Sequence, residues 1–526
     1  MAINILNASD YIPQFGETKF TDFLTNKNNR VFAIQDRTKE DFKSYCKVFE
    51  ENGFAKREYR KHGSFYFAAF EGESTSIFAV YYGDLKELNI TVENESKYFT
   101  YSDTLESKKV STQVTQIKLE DYGMSYVIRL SDGRFIVIDG GNRYEPHADS
   151  LYKQLKASSP DEKPVIAAWI ITHPDCDHYH CFIVFNDKYG DEVILQKVMF
   201  NFPEHNDFKL YHDLEKQGAW GPDCERLLDM YAKIEKSGAE VYTPHTGQIY
   251  EVGNASLEIL NCIGDVVHNT YWKNKNEPCL VIRMEVEGQT ILWMGDASCH
   301  YSRLYEKFGA YLKSDILQIP HHGFGSLGDD AEIACYNEIS PSVCFLPASD
   351  YVCYHRTSAY RPSTNYIITK MDVDEIITGD SGKTITLPYT APKSAKKDYQ
   401  EKYACGIMDN GAHAWTFTGL NSGNKDDFTF TFLNAINRNA TIEINIYFKG
   451  HNDIDRIKSS IPPSLSDLCI IDKEQVEGEW LFHNPNSLGK IQIPENTDFA
   501  VRFISDIPIV VSHKNHSATY NTSYVK

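Results

Sequence analysis

Two histidines and two aspartates fall within six residues in Thr172-His173-Pro174-Asp175-Cys176-Asp177-His178, directly after the apolar run 165–171. Unpaired carboxylates are expensive to bury, so such a cluster is either a solvated polar turn or a set of donors whose lone pairs a divalent cation accepts. Three other apolar runs also end in Asp or His: Ile136-Val137-Ile138-Asp139-Gly140-Gly141, 291–298 with Asp296, and 316–326 with His321 and His322. Four runs of strand character that each end in ligand-type residues are what a site built from loops at one rim of a sheet requires. A metal held there would activate water for hydrolysis. Gly140 and Gly141 let the backbone pass close to such a site.

The elements that must position these residues are legible in outline. Runs 113–119, 124–130 and 134–141 have strand character, 148–158 is helix-like, and 165–173 is continuously apolar, as in a strand covered on both faces. Repetition of strand, turn and helix to about residue 370 predicts a layered α/β domain over 109–390. Residues 1–108 read as an α+β domain, a packing or partner-binding module. Thr38 is an expected N-cap, Phe42, Tyr45 and Phe49 recur at helical spacing, and Gly53 ends that helix. Runs 64–70, 76–82 and 88–92 follow as strands. A linker is expected over 391–403. Beyond it, 404–526 is β-rich: Phe428, Phe430 and Phe432 alternate, as do Ile442, Ile444 and Ile446, which predicts a hairpin. Runs 499–504 and 507–513 add two strands to a β-sandwich or barrel.

Composition narrows the function. Of 526 residues, 53 are Lys or Arg and 73 are Asp or Glu, a net charge of −20 that repels polymeric phosphate backbones. A phosphodiester or other small anionic substrate therefore needs a local cationic centre. The 12 cysteines contain no C-x-x-C pair, so buried free thiols are expected rather than a zinc ribbon. Neither a signal peptide nor a spanning helix is evident, and a soluble, cytoplasmic protein without membrane contact is expected.

The four motifs together resemble the metallo-β-lactamase fold superfamily over about 112–370, nearest to the hydrolase domain of bacterial DNA-uptake channel proteins, with its H-P-D-x-D-H, G-D and P-H-H-G-S runs. The resemblance implies an αβ/βα sandwich carrying one or two divalent metal ions, Zn or Mn. It implies that His173 and Asp175 hold one metal, Asp177 and His178 the second, that Asp296 bridges both and that His321 is the last ligand. His322 is implied as its neighbour facing the substrate, the order of the two histidines being open, and Asp139 as a residue that orients a ligand or the turn. Asp177, His322 and His355 are the catalytic candidates. Two departures stand out. The wider superfamily has a histidine where this chain reads 275–281, leaving Asn276 as a weak oxygen substitute or substrate contact. Arg361 stands where relatives have histidine, and could grip an anionic substrate or be an ordinary surface charge. His205, His212, His245 and His268 are read as loop histidines, any of which could fold back as a ligand. Cys176 is read as filler between ligands.

The last region resembles the sensory-rhodopsin-transducer family of small β-sandwich proteins, through Asn434, Tyr447, Phe448, Pro494, Thr497, Ser505, Asp506, Pro508 and His513. That likeness implies a homo-oligomer assembled through the C-terminal β-sandwich. The expected activity is metal-dependent hydrolysis, with a phosphodiester favoured over a small ester, lactone or amide. The alternative of another class is a ligand-sensing scaffold with a vestigial metal site.

Overall fold

A computed structural model describes residues 20–521 apart from short gaps and the longer stretches 95–101, 104–109, 202–222, 266–275, 354–366, 401–411 and 482–489. Two compact units divide the chain at Lys397/Asp398. The first contains an antiparallel sheet of order β1-β2-β6-β5-β4-β3, made of β1 (Phe20–Asn26), β2 (Asn29–Ile34), β3 (Ala55–His62), β4 (Phe65–Glu71), β5 (Thr75–Tyr82) and β6 (Glu87–Asn94). Helix α1 (Lys39–Glu51) packs on it through Phe42, Tyr45 and Phe49. Its N-terminus is the expected one: Thr38 Oγ1 accepts from Asp41 N while Asp41 accepts from Thr38 N, a reciprocal cap. Strands β1, β2 and β3 were not expected. β3 alternates charged residues so fully (Lys56, Glu58, Arg60) that its sequence carries little apolar period.

In the same unit lie two eight-stranded sheets. The first has the order β14-β13-β11-β10-β9-β8-β22, from β8 (Gln113–Gln116), β9 (Ser125–Arg129), β10 (Phe135–Asp139), β11 (Val165–Ile170), β13 (Lys197–Met199), β14 (Glu240–Tyr242) and β22 (Thr384–Thr386), with β12 (Ile194–Leu195) beside β11. The second runs β21-β20-β19-β18-β17-β16-β15-β7, from β7 (Ser102–Asp103), β15 (Ile249–Val252), β16 (Ala255–Asn261), β17 (Val281–Val286), β18 (Gln289–Trp293), β19 (Ile316–Gln318), β20 (Val343–Leu346) and β21 (Glu375–Thr378). One apolar core joins them face to face, with Ile136, Ile138 and Ile170 from the first meeting Leu257, Ile282 and Trp293 from the second.

β10, β11, β13 and β14 are parallel neighbours, and so are β18, β19, β20 and β21. Parallel neighbours need crossovers, and with one face of each sheet in the shared core the crossover helices take the outer faces. On the first sheet α2 (Glu145–Ser158), α3 (Cys176–Tyr189) and the helix Asp223–Ser237 cover Val137 and Trp169 with Leu151, Phe182 and Met230. The result is the αβ/βα sandwich expected of a metallo-β-lactamase type domain. Its parallel strands end in the motif residues, at the carboxyl edge where α/β sheets place ligands.

The second unit is a β-sandwich whose core holds Phe430, Phe432, Ile442, Ile444 and Ile446. The expected hairpin is absent: Thr429–Asn434 pairs with Ser464–Cys469 and the long strand Asp498–Ser512, whereas Ala440–Phe448 pairs with Asp455–Ile461 and that same strand. Alternation tells which side of a strand is buried but not which strand lies beside it. The two strands expected over 499–513 are this one 15-residue strand, shared between both sheets. Among the described residues no helix is long and apolar enough to cross a membrane.

Candidate metal centre

β10 ends at Asp139, and its backbone turns at once: Asp139 has φ 53° and Gly141 φ 93°. A Cβ at Gly141 would lie 3.0 Å from His147 Nδ1 and from Leu119, so the turn needs glycine. The fully buried Asp139 carboxylate accepts from Thr172 N at 2.8 Å, Thr172 Oγ1 at 2.7 Å and His178 Nδ1 at 2.8 Å. Thr172 Oγ1, its hydrogen directed to Asp139, lies 3.1 Å from His173 Nδ1 and accepts there. One carboxylate thus sets the tautomer and orientation of two imidazoles, directly for His178 and through Thr172 for His173. The third imidazole is fixed the same way, His322 Nδ1 lying 2.9 Å from the Pro347 carbonyl oxygen.

With every Nδ1 engaged, the Nε2 atoms converge. His178 Nε2 is 3.2 Å from Asp296 Oδ2, His173 Nε2 3.8 Å, and His322 Nε2 3.5 Å. His322 Nε2 also stands 2.9 Å from Asp177 Oδ2. Two overlapping groups, His173-His178-Asp296 and Asp177-His178-His322, have ligand atoms mutually within 4.8 Å, and all five residues are buried. His173 Nε2 and Asp296 Oδ1 have no hydrogen-bond partner among the described residues. Buried, converging, unsatisfied nitrogen and oxygen donors fit a divalent cation of the Zn or Mn kind.

The electrostatics agree. Burial, together with the neighbouring His178, lowers the His173 imidazole to about 4. For His322 burial acts downward, but Asp296 and Asp177 overcome it and raise the group to about 10. His178 is likewise raised, against burial, by Asp296, Asp177 and Asp139. Asp177 and Asp296 are held low despite burial by His178 and His322. In the protein without metal, protons on His178 and His322 balance the carboxylates while His173 stays neutral; a cation would take the place of those protons.

Several expectations shift. The resemblance gave the last ligand position to His321 with the order of the pair open, and the structure groups His322 with Asp177 and His178. His321 keeps its side chain 41% exposed, 3.9 Å from Asp296. Both histidines have positive φ, 48° and 52°, and in that tight turn successive side chains diverge, so one can enter the cluster and the other the open side. Asn276 Nδ2 meets His321 Nε2 at 3.2 Å on that side. Asp175 is not drawn in with His173. Its Oδ1 caps α3 by accepting from Cys176 N at 2.7 Å, and it groups with Cys176 and Asp177. His178 belongs to both groups. His245 lies elsewhere, paired with Glu93. His205, His212, His268, His355 and Arg361 fall outside the described residues.

Three supporting residues escaped the sequence reading. Gln318, fully buried, accepts from Met294 N and Gly295 N and donates to the Gly295 and Ile319 carbonyls, tying the Asp296 turn to the His321-His322 turn with four hydrogen bonds. Its signal was a lone amide inside the apolar run Ile316–Ile319. Thr172 lay in the quoted motif without a role. Cys279 Sγ accepts from Asp296 N at 3.4 Å, a contact no spacing rule reveals.

Fold and cluster together define an αβ/βα sandwich with a candidate metal site at the carboxyl edge of its parallel strands. No protein-family profile and no curated protein matches the chain. Among solved structures it is similar to the metallo-β-lactamase fold protein YhfI from Bacillus subtilis, at 14% identity over 52% of this chain and 99% of that one, TM-score 0.33. It is similar to the short form of human tRNase Z at 12% identity over 53% and 100%, TM-score 0.30. The Anabaena sensory rhodopsin transducer matches at 25% identity over 20% of this chain and 83% of that one, TM-score 0.16.

Proposed function

We propose that this protein is a metal-dependent hydrolase that cleaves a phosphodiester in a small anionic substrate. The observation that carries the hydrolase reading is the convergence of His173, His178 and His322 Nε2 on Asp177 and Asp296, each ring held from behind by a second partner. These five residues would hold one or two divalent cations, which supply Lewis acidity, activating water and neutralising charge in the transition state. Asp139 orients His173 and His178. Gln318 keeps the Asp296 and His322 turns in register. His321 stands at the open side, where its imidazole can meet substrate oxygens, with the buried Asn276 contacting it from behind. The choice of a phosphodiester is supported by the motif resemblance to the DNA-uptake hydrolases, and the net charge of −20 favours a short or cyclic nucleotide over polymeric DNA. His355 and Arg361 are the further catalytic and anion-binding candidates.

The test combines metal analysis of purified protein with turnover of bis(p-nitrophenyl) phosphate, p-nitrophenyl acetate and a lactone panel, with Mn²⁺ or Zn²⁺ added. Stoichiometric metal and chelator-sensitive phosphodiesterase activity are expected. Activity confined to the ester or lactone replaces the substrate assignment, and absence of bound metal leaves a sensing scaffold. Homo-oligomerisation through the C-terminal β-sandwich belongs to the same proposal. Light scattering should give a smaller assembly for a chain ending near residue 395, and an unchanged oligomer counts against that role.

A further inference from the structure

The N-terminal sheet meets the sandwich through buried charge. Glu87, fully buried at the start of β6, accepts from Arg303 Nη1 at 3.0 Å and Gln35 Nε2 at 3.2 Å. Arg303 is the left-handed joint, φ 54°, between the short helices Cys299–Ser302 and Leu304–Phe308, which leave the Asp296 turn. One turn on, Lys307 is 2% exposed, lies over the Tyr82 ring at 5.1 Å, and places Nζ 3.4 Å from Asn261 Oδ1. Asn261 Nδ2 donates to the Cys279 carbonyl at 2.9 Å, and the Cys279 thiol accepts from Asp296 N. A continuous path of polar contacts thus runs from the N-terminal sheet to the backbone of the aspartate shared by the cluster.

Adhesion alone does not call for such a path. Phe65 and Tyr82 already pack against Phe308, tilted and edge-on, at 5.1 and 6.0 Å between ring centroids. Burying a carboxylate, an ammonium and a carboxamide beside them incurs desolvation that apolar contact avoids, whereas paired charges admit few alternative geometries. A left-handed arginine also persists only where its surroundings over-determine it. Both features are what fixing the 296–308 segment in one position requires.

We propose that the N-terminal sheet is a positioning element of the metal centre, with Glu87 and Arg303 setting the segment that follows Asp296 and Lys307 and Asn261 linking that segment to Asp296 itself. The inference rests on reading the cluster as a metal site. It assigns the first domain a role in the chemistry of the second rather than in partner binding.

The full chain tests it in three variants. Glu87→Gln keeps the shape of the buried group, and Arg303→Gln breaks the same pair from its partly exposed end, where folding is less at risk. Glu93→Gln is the control, since it removes a different ion pair of the same interface, to His245 at 3.1 Å. The readouts are Zn²⁺ affinity by competition with a chromophoric chelator and, on metal-free protein, hydrogen exchange over residues 294–308. Glu87→Gln and Arg303→Gln should each weaken Zn²⁺ roughly tenfold, the scale seen when supporting residues of metal ligands are lost. Both should speed exchange in that segment, and Glu93→Gln should do neither. Wild-type affinity and exchange in the first two variants overturn the inference, as does an equal loss in the control. A wild-type chain that takes up no Zn²⁺ or Mn²⁺ overturns the metal reading and this inference with it.

Discussion

Among the described residues the first unit brings histidine and carboxylate together beneath the N-terminal sheet and at the rim of the sandwich, and the rim has the character of a metal centre. At the interface of the N-terminal sheet, His245 pairs with Glu93 at 3.1 Å and stacks on Phe78, Tyr82 donates to Asp265 at 2.5 Å, and Arg303 meets Glu87. Each of these ionic groups has its own polar partner, and among the described residues they do not converge on a common point. At the rim of the sandwich, three imidazoles have their outer nitrogens engaged while their inner nitrogens converge on two aspartates, and His173 Nε2 and Asp296 Oδ1 find no hydrogen-bond partner among the described residues. Burial of His, Asp and Glu is common to both. Convergence with incomplete satisfaction separates a ligand set from structural ion pairing.

The sharpest way to break this contrast is at Asp296. Asp296→Asn preserves shape but removes the negative charge on which three imidazoles converge. Metal affinity should fall more than about 100-fold, beyond what loss of a supporting group costs, with hydrolysis lost in proportion and folding retained. Metal content and circular dichroism on the same sample decide it; full metal and full turnover would falsify the metal assignment. Asp139→Asn should come next. Its carboxylate orients His178 directly and His173 through Thr172, so about 10–100-fold in metal affinity is expected with no ligand removed. If the two variants lose equal affinity, the division between ligand and orienting residue fails.

The interface cluster should respond to pH instead of metal. Burial acts to lower the His245 imidazole, but the adjacent Glu93 charge, with hydrogen bonds involving Cys262 and Glu93, raises it to about 9. A folded-state pKa above the unfolded value of about 6.5 contributes stability that is complete below pH 6.5 and is lost as pH rises through about 9, a change on the order of 2–3 kcal/mol. Urea unfolding of metal-free protein at pH 6, 7.5 and 9 should show this loss in the wild type and a flatter profile in Glu93→Gln. Equal slopes would remove His245 as the titrating group.

Much of the contrast was legible in the sequence, for a physical reason. Strand ends that carry Asp or His out of apolar runs are local patterns, so Asp139, Asp177, His178, Asp296 and the His321-His322 pair stand out from the order of residues along the chain. What could not be read was which of two adjacent histidines enters the cluster, because two consecutive left-handed residues set that choice. Nor could the interface be anticipated. Glu87, Glu93, Arg303 and Lys307 are ordinary surface types by composition, and only tertiary packing buries Glu87 and Lys307 and half-buries Glu93 and Arg303. In the β-sandwich the inward faces followed from alternation, while the pairing depended on the long strand Asp498–Ser512, which local pattern split in two.

Asp175 provides the smallest and most discriminating test. The motif resemblance makes it a ligand beside His173; the structure makes it the N-cap of α3, accepting from Cys176 N, in a group that does not contain His173. Asparagine caps helices about as well as aspartate, so Asp175→Asn retains the hydrogen bond and loses only the favourable charge at the helix N-terminus, worth about 0.3–1 kcal/mol. If capping is its whole role, unfolding free energy should drop by no more than that and metal stoichiometry should not change. A ligand role predicts the reverse, with stability of the metal-free protein nearly constant and one equivalent of metal weakened or lost. Titrating Zn²⁺ into both proteins after chelation, alongside urea unfolding without metal, separates the two, because a cap acts on the helix whether or not metal is present and a ligand acts only when it is.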